Sequence, residues 1–385
     1  MKKLGIIISL LLLLSFLPGL IGCAQAPTTP TTPTTPTTPT TPTTPTTSVK
    51  PIKVKFSYAT PARAWTVVRF IVPWADKLEE VTDGRVQVEH YPGQTLHPSA
   101  EAFDMIAAGA SDITWVSIGT PPGLLPLSEV AALPLMNIPS GKYKGEILSD
   151  GEINSLIWNE LYQGSPEIQK EIAATGVKVI FVHKSSGYNV FTVNKPVRNL
   201  TDMRGLKLQA GSGPPHEMYQ ALGAAPVRLG SSGDWFTSLE RGIIDGISQA
   251  WAAIDSYKIY QVCRYWTDAA TEASAWLVIM NPEKFDSMPP DIQQAIMSIG
   301  GEYGSRFAAQ TAWPVNEKEL ILEKIEKAGF AMEKVTLDPG QYDQFIEIGG
   351  KPVWAKWAAD MEAKGLPGQA ALDELLRLRE EYRIP

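Results

Sequence analysis

Tryptophan supplies the side chains best suited to holding a small molecule in this chain. Trp65, Trp115 and Trp235 stand at or near the exits of strand-like segments and the starts of helical ones. Flat faces there can wall a pocket, although core packing is the commoner use of any one tryptophan. The residues of catalysis lack the spacing catalysis needs. Four histidines and two cysteines are scattered without ligand spacing, so no metal or other cofactor is expected. There is no Gly-x-Ser-x-Gly elbow, His-Glu-x-x-His helix or Walker loop. Gly211-Ser212-Gly213 before Pro214-Pro215 resembles a helix-opening turn, but without the third glycine or the lysine of a phosphate cradle. Asp104, Asp112 and Glu129 have no pairing spacing and read as solvated or capping groups. Cys263 lies between aromatic residues with no histidine near it in sequence, which suits a buried structural thiol better than a nucleophile.

The 385-residue chain is 44% hydrophobic, enough for a sizeable core, and its formal charge of −7 excludes a nucleic-acid surface held by counterion release. Its first 50 residues are of a different kind. Lys2 and Lys3 precede an apolar run from Ile6 to Leu17, the length of a secretory h-region and too short to span a bilayer. Leu20-Ile21-Gly22-Cys23 resembles the bacterial lipobox, which predicts cleavage before Cys23 and acylation of it; an ordinary signal with an incidental cysteine is the alternative. Thr-Thr-Pro repeats from Pro27 to Pro45 favour extended polyproline II, and Ala24 to Lys50 would reach up to about 80 Å as a tether.

From Ile52 the apolar period alternates between strand and helix. Ile52 to Tyr58 alternates as a strand, and Val67, Phe70, Ile71, Trp74, Leu78 and Val81 recur at helical spacing. Val86 to His90 and Ile113 to Val116 read as strands, with a helix between them that Ser99 is placed to cap. Further strands are expected at Val177 to His183, Asn189 to Val193, Leu206 to Gln209, Ile243 to Ile247 and Ala275 to Met280. Pro215 opens a short helix, and Asp234 is placed to cap the next. A long helical stretch is expected from Pro290 to about Lys327, weakened at Gly300-Gly301, Gly304 and Pro314, then helices at Lys351 to Lys364 and Gln369 to Tyr382. The strand–helix order predicts an α/β fold in two lobes.

Six segments, in order, resemble the solute-binding proteins of tripartite ATP-independent periplasmic (TRAP) transporters, the dicarboxylate-binding DctP type. They are Gly84-Arg85-Val86 with Tyr91-Pro92-Gly93-Gln94-Thr95-Leu96; Ile106 to Ile113; Asn194-Lys195-Pro196-Val197 through Asp202 to Leu208; Ala221 to Ala224; Gly233-Asp234; and Leu239 to Gly246. The resemblance covers roughly 52–331. It implies a periplasmic-binding-protein-like fold with crossing hinge strands and a long helix spanning both lobes. The expected divisions are a signal at 1–22, an anchor and stalk at 23–50, lobe I at 51–180 plus about 270–312, and lobe II at 181–269 plus about 313–385. It also implies capture of a small organic solute by closure, delivery to integral-membrane permease subunits, an extracytoplasmic monomer anchored through Cys23, and no catalysis.

One position departs from the resemblance. Where the family usually places an arginine that forks onto a solute carboxylate, this chain has Gln209, which offers hydrogen bonds but no charge. Either Arg63, Arg69 or Arg228 substitutes, with Arg63 best placed just past the first strand, or the ligand is neutral or less acidic. A surface role is the commoner alternative for each arginine. The second cleft position carries Gln249 and Trp251. The expected cleft is Thr60, Arg63, Trp65, Gln94, Thr95, Ser117, Tyr188, Gln209, Asp234, Trp235, Gln249 and Trp251, with Tyr188 equally readable as an exposed turn residue. A tethered ligand sensor for a membrane receptor would have the same sequence features; neighbouring genes would distinguish it.

Overall fold

In the computed structural model, which describes residues 50–384, two sheets share the chain by exchanging strands. The strands are β1 (Ile52–Tyr58), β2 (Val86–Tyr91), β3 (Ile113–Ser117), β4 (Ser140–Tyr143), β5 (Glu146–Ser149), β6 (Lys178–Lys184), β7 (Tyr188–Thr192), β8 (Lys207–Gln209), β9 (Ala225–Val227), β10 (Gly246–Gln249), β11 (Tyr265–Glu272), β12 (Ala275–Met280) and β13 (Glu333–Val335). The first sheet has the order β2-β1-β3-β12-β6 and the second β13-β11-β7-β10-β8-β9, while β4 and β5 form a separate hairpin. β1, β2 and β3 run parallel, as do β8, β9 and β10. The strands that change sheets, β7 and β12, run antiparallel to their neighbours.

The chain crosses from the first sheet to the second through Ser185–Gly187 and returns through Ala273–Ser274. Ser185 N–H donates to the Ser274 carbonyl at 3.0 Å, and Ser274 N–H donates to Ser185 Oγ at 3.0 Å, so the two crossings are tied to each other. The expected long helix is three helices, Pro290–Ser298, Gly301–Ala312 and Glu317–Lys327. Close packing explains a glycine at its first break and another one turn into the second helix. A Cβ on Gly304 would lie 2.4 Å from the Phe181 ring, and one on Gly300 2.6 Å from the Ile180 carbonyl oxygen. Pro314, which cannot donate a helical hydrogen bond, falls in the second break. The middle helix packs on β6, and the last packs on helix Trp251–Ser256 under the second sheet, so this segmented rod is a third link between the sheets.

The expected helix from Val67 begins as a π turn, Val67–Ile71, before α-helix Val72–Val81. The same pattern recurs at Ile346–Gly350 ahead of Lys351–Ala363. Each π turn precedes a proline, Pro73 or Pro352, whose ring would crowd the carbonyl four residues earlier in an unbroken α-helix. Asp234 makes no capping bond; Ser231 Oγ instead accepts from Gly233 N–H at 3.1 Å. Ser99 is likewise not a side-chain cap, and donates its N–H to Gln94 Oε1 at 2.8 Å. The strand expected from Ile243 starts at Gly246.

One core lies against the first sheet, where Phe70, Trp74 and Phe181 meet, and another beneath the second, around Ile247, Trp251 and Trp266. Cys263 is fully packed in the second of these, and burial pushes its thiol up to about 12. A third core joins residues of both sheets, Val182 and Leu277 with Val190 and Leu208, to Trp354 and Trp357 of helix Lys351–Ala363. The last helix, Gly368–Tyr382, packs against Asp150–Gly164, and Arg383 bridges Gly141 in β4.

Candidate functional site

The cleft forms where the strands change sheets. A cavity of about 320 Å³ takes Thr60, Ser117 and Trp276 from the first sheet and its loops, and Gly211, Trp235 and Gln249 from the second. An adjoining recess of about 100 Å³ shares Trp115, Tyr188 and Tyr257 with it and extends to Trp313. Sheet topology dictates this composition, because the loops at strand ends are the points where both sheets present side chains to one volume.

Its apolar wall is a stack of indoles. Trp276 on β12 and Trp115 on β3 lie 4.1 Å apart between ring centroids at 19°. Trp115 Nε1 donates to His183 Nε2 at 2.8 Å, and the two rings are nearly coplanar, at 10°. Burial holds His183 down at about 3, so it stays neutral and keeps that nitrogen free to accept. Trp115 is thereby fixed in orientation, and Trp276 presents its outer face to the cavity. Trp235 and Tyr257 meet edge to face at 4.9 Å on the opposite side.

The other end of the cavity is acidic. Glu272, the last residue of β11, is 4% exposed and its Oε1 has no hydrogen-bond partner. Burial pushes its carboxyl up to about 7, against the pull of the Ser248 hydroxyl and the Gly211 N–H. Gly211 eases this approach, since a Cβ there would stand 3.0 Å from Glu272 Oε2 and press it aside by a few tenths of an ångström. Burial also raises Glu129 above the usual carboxylate range, and that side chain faces the same space. Among the described residues, no lysine or arginine lines either part of the cleft. Nor, among them, is any group of three or more His, Cys, Asp or Glu gathered to hold a metal.

The crossings are held by carboxylates from outside the cavity. Asp150 Oδ2 accepts from Gly187 N–H at 2.9 Å, and Glu317 accepts from Ser186 Oγ at 2.8 Å and Ala252 N–H at 2.6 Å. Burial pushes Glu317 up to about 8. Tyr188, at the start of β7, donates its hydroxyl to Ser274 Oγ at 2.7 Å.

Of the residues expected in the cleft, Thr60, Ser117, Tyr188, Trp235 and Gln249 line it. Trp65 is elsewhere, donating Nε1 to the Ala312 carbonyl at 2.7 Å beneath the Arg69 guanidinium. Trp251 packs edge-on to Phe191 and Trp266 in the core. Gln209 is buried beside the cavity lining, with Nε2 on the Ala210 carbonyl and Oε1 unpartnered. Arg63, Gln94, Thr95 and Asp234 are exposed and do not reach the cavity; Gln94 is occupied by Ser99, and Thr95 Oγ1 donates to the Pro92 carbonyl. Arg228 is also exposed. Sequence reasoning missed Trp276, Tyr257 and Glu272. A lone acid in the otherwise uncharged stretch Ala269–Met280 was the available signal for Glu272.

Comparison with known proteins gives the same shape. Residues 56–360 match the family described as bacterial extracellular solute-binding protein, family 7. The 2,3-diketo-L-gulonate-binding periplasmic protein YiaO of Escherichia coli is 22% identical over 255 residues, 66% of this chain and 73% of that protein. A TRAP solute-binding protein from Rhodoferax ferrireducens, solved with copurified benzoate, superposes with a TM-score of 0.75 at 22% identity, covering 86% of this chain and 98% of that one. Another from Desulfovibrio salexigens, solved as an open complex, gives 0.70 at 27% identity over 86% and 97% of the two chains.

Proposed function

We propose, since this chain belongs to the DctP family of bacterial extracellular solute-binding proteins, that it captures its solute in the tryptophan-lined cleft and hands it to a TRAP-type membrane permease. The family is one of receptors, extracytoplasmic and built in two lobes, and this chain shares its fold.

One observation supports the cleft most strongly: both sheets contribute to a single cavity at the points where the chain crosses between them. Rotation about Ser185–Gly187, Ala273–Ser274 and the break at Trp313–Asn316 would change the gap between Trp276 and Trp235. We take the two lobes as 51–180 with about 270–312, and 181–269 with about 313–385, moving about these crossings. Flat aromatic walls suit a ring, and benzoate in the Rhodoferax protein is a ligand of that kind.

Anchoring through Cys23 belongs to the same reading. Cys23 and the Thr-Pro segment lie outside the described residues, and the lipobox-like Leu20-Ile21-Gly22-Cys23 carries the proposal. A doubly acylated terminus stays on a membrane, and the tether behind it lets the binding body reach a permease. A thermal-shift screen against organic acids, aromatic compounds and neutral polyols tests solute capture. A solute at 100 times its Kd stabilises the native state by about 2.7 kcal/mol. A stabilising hit is expected; no shift with any small solute would contradict the proposal.

A further inference from the structure

Building on solute capture in this cleft, we infer that the solute carries a protonated amine beside an aromatic or alicyclic ring, and is not an organic acid. The cavity has two chemically distinct ends. Trp115, Trp276, Trp235 and Tyr257 form its aromatic part, and Glu272 and Glu129 form its polar part near Gly211 and Ser212. A carboxylate brought here would be desolvated against two acids without a lysine or arginine from the cavity lining to offset it. An ammonium group instead gives Glu272 the partner that its Oε1 lacks. The ring then fills the tryptophan recess, and the indole faces favour the adjoining positive charge.

Three local features place Glu272 there. The pairing of β11 with β7 passes from Thr267↔Val190 to Glu272↔Tyr188, five residues on one strand against two on the other. Ala270 within this bulge has φ of 42°, a left-handed conformation that breaks the strand's alternation. Gly211 then leaves room for the carboxylate against the backbone. The titratable groups around it are Glu129 from the turn Ser128–Ala132, Tyr188 from β7 and Tyr219 from helix Pro214–Ala221; burial raises all three, and Glu272 itself adds to the rise at the two tyrosines. None of them supplies a positive charge; Lys364, outside the cavity lining, lowers Glu129 against the opposing Glu171 and Glu217, and no cation among the described residues acts in this way on Glu272.

Calorimetric titration of the purified protein with 2-phenylethylamine, 2-phenylethanol and phenylacetate separates amine, neutral and acid forms of one scaffold. The amine is expected to bind at least about tenfold more tightly than phenylacetate, and Glu272→Gln to remove about tenfold of amine affinity while changing 2-phenylethanol by less than about twofold. A second measurement needs no variant. Binding a cation lowers the Glu272 pKa, so at pH 7 amine binding should release protons, seen as a dependence of the heat on buffer ionisation enthalpy. Tighter binding of phenylacetate, unchanged amine affinity in a folded Glu272→Gln protein, or amine binding without proton release would overturn the inference. Binding of only the alcohol or the acid would overturn it and leave solute capture standing. Silence from all three probes would also overturn it, and the broader thermal-shift screen would then decide on capture itself.

Discussion

Tyr188 and Glu272 face each other across β7 and β11, at the point where one strand leaves the first sheet and the other is about to return to it. The pairing joins hinge to ligand cavity. Tyr188 reaches Ser274 in the returning crossing, and Glu272 ends beside Gly211 at the cavity's acidic end. Movement at the crossings would therefore carry cleft residues with it, as capture by closure requires.

Trp276→Ala should lose solute affinity while leaving the fold intact. Its indole stacks on Trp115 but is itself partly exposed to the cavity, with Nε1 unpartnered. Removing one aromatic wall should raise Kd by about tenfold, equivalent to about 1.4 kcal/mol. Titration with a stabilising solute, alongside circular dichroism, checks both parts; equal affinity would place the solute elsewhere.

Glu317→Gln should change how stability depends on pH. The folded pKa of Glu317 is raised to about 8 from an ordinary 4.5. Protonation at this group therefore stabilises the fold fully below about pH 4.5, and that contribution is lost as pH rises through 8. Glutamine cannot ionise. Chemical denaturation at pH 6 and pH 9 should show the variant's stability, relative to wild type, improving at the higher pH; a constant difference would mean that Glu317 does not titrate as its burial requires.

Gly187→Ala should strain the outgoing crossing. The added Cβ would lie 2.9 Å from Ala270 Cβ, against the bulge that positions Glu272. Overpacking of this kind costs about 1–3 kcal/mol. A lower Tm together with weaker solute binding is expected, whereas an unchanged Tm would show that the crossing has slack.

Cys23→Ser should release the protein from membranes. Each buried CH₂ of an acyl chain contributes about 0.8 kcal/mol to anchoring, and no other part of the proposal holds the mature protein there. Fractionation of expressing cells should move the variant to the soluble extracytoplasmic fraction. Membrane retention of a variant from which the signal has been removed would require a different anchor.

Alternating and helical apolar periods made β1, β2, β3, β6 and β12 legible in the sequence, since each buries one face or both. Two kinds of element were not. The hairpin β4–β5 and edge strands β9 and β13 are short and take their order from neighbours, and β11 carries a bulge that destroys its period. That bulge also hid Glu272, because its direction depends on the conformation of Ala270 and not on counting along the strand. Tryptophans were visible as candidates, but their partners were not: Trp115 is set by His183, 68 residues away, and Trp65 by Ala312. The absence of arginine at position 209 was legible, while the place of the acid at 272 in the cavity lining was a fact of tertiary structure.

Capture by closure is tested most directly by the distance between spin labels on the two sides of the cleft. Glu101 and Ser231 are exposed positions suited to labelling, and with Cys23→Ser the buried Cys263 is the remaining native thiol. Pulsed electron paramagnetic resonance with and without a saturating hit from the thermal-shift screen should show the distance distribution shorten and narrow on binding. Saturable binding with an unchanged distribution would contradict closure of the two lobes around the solute.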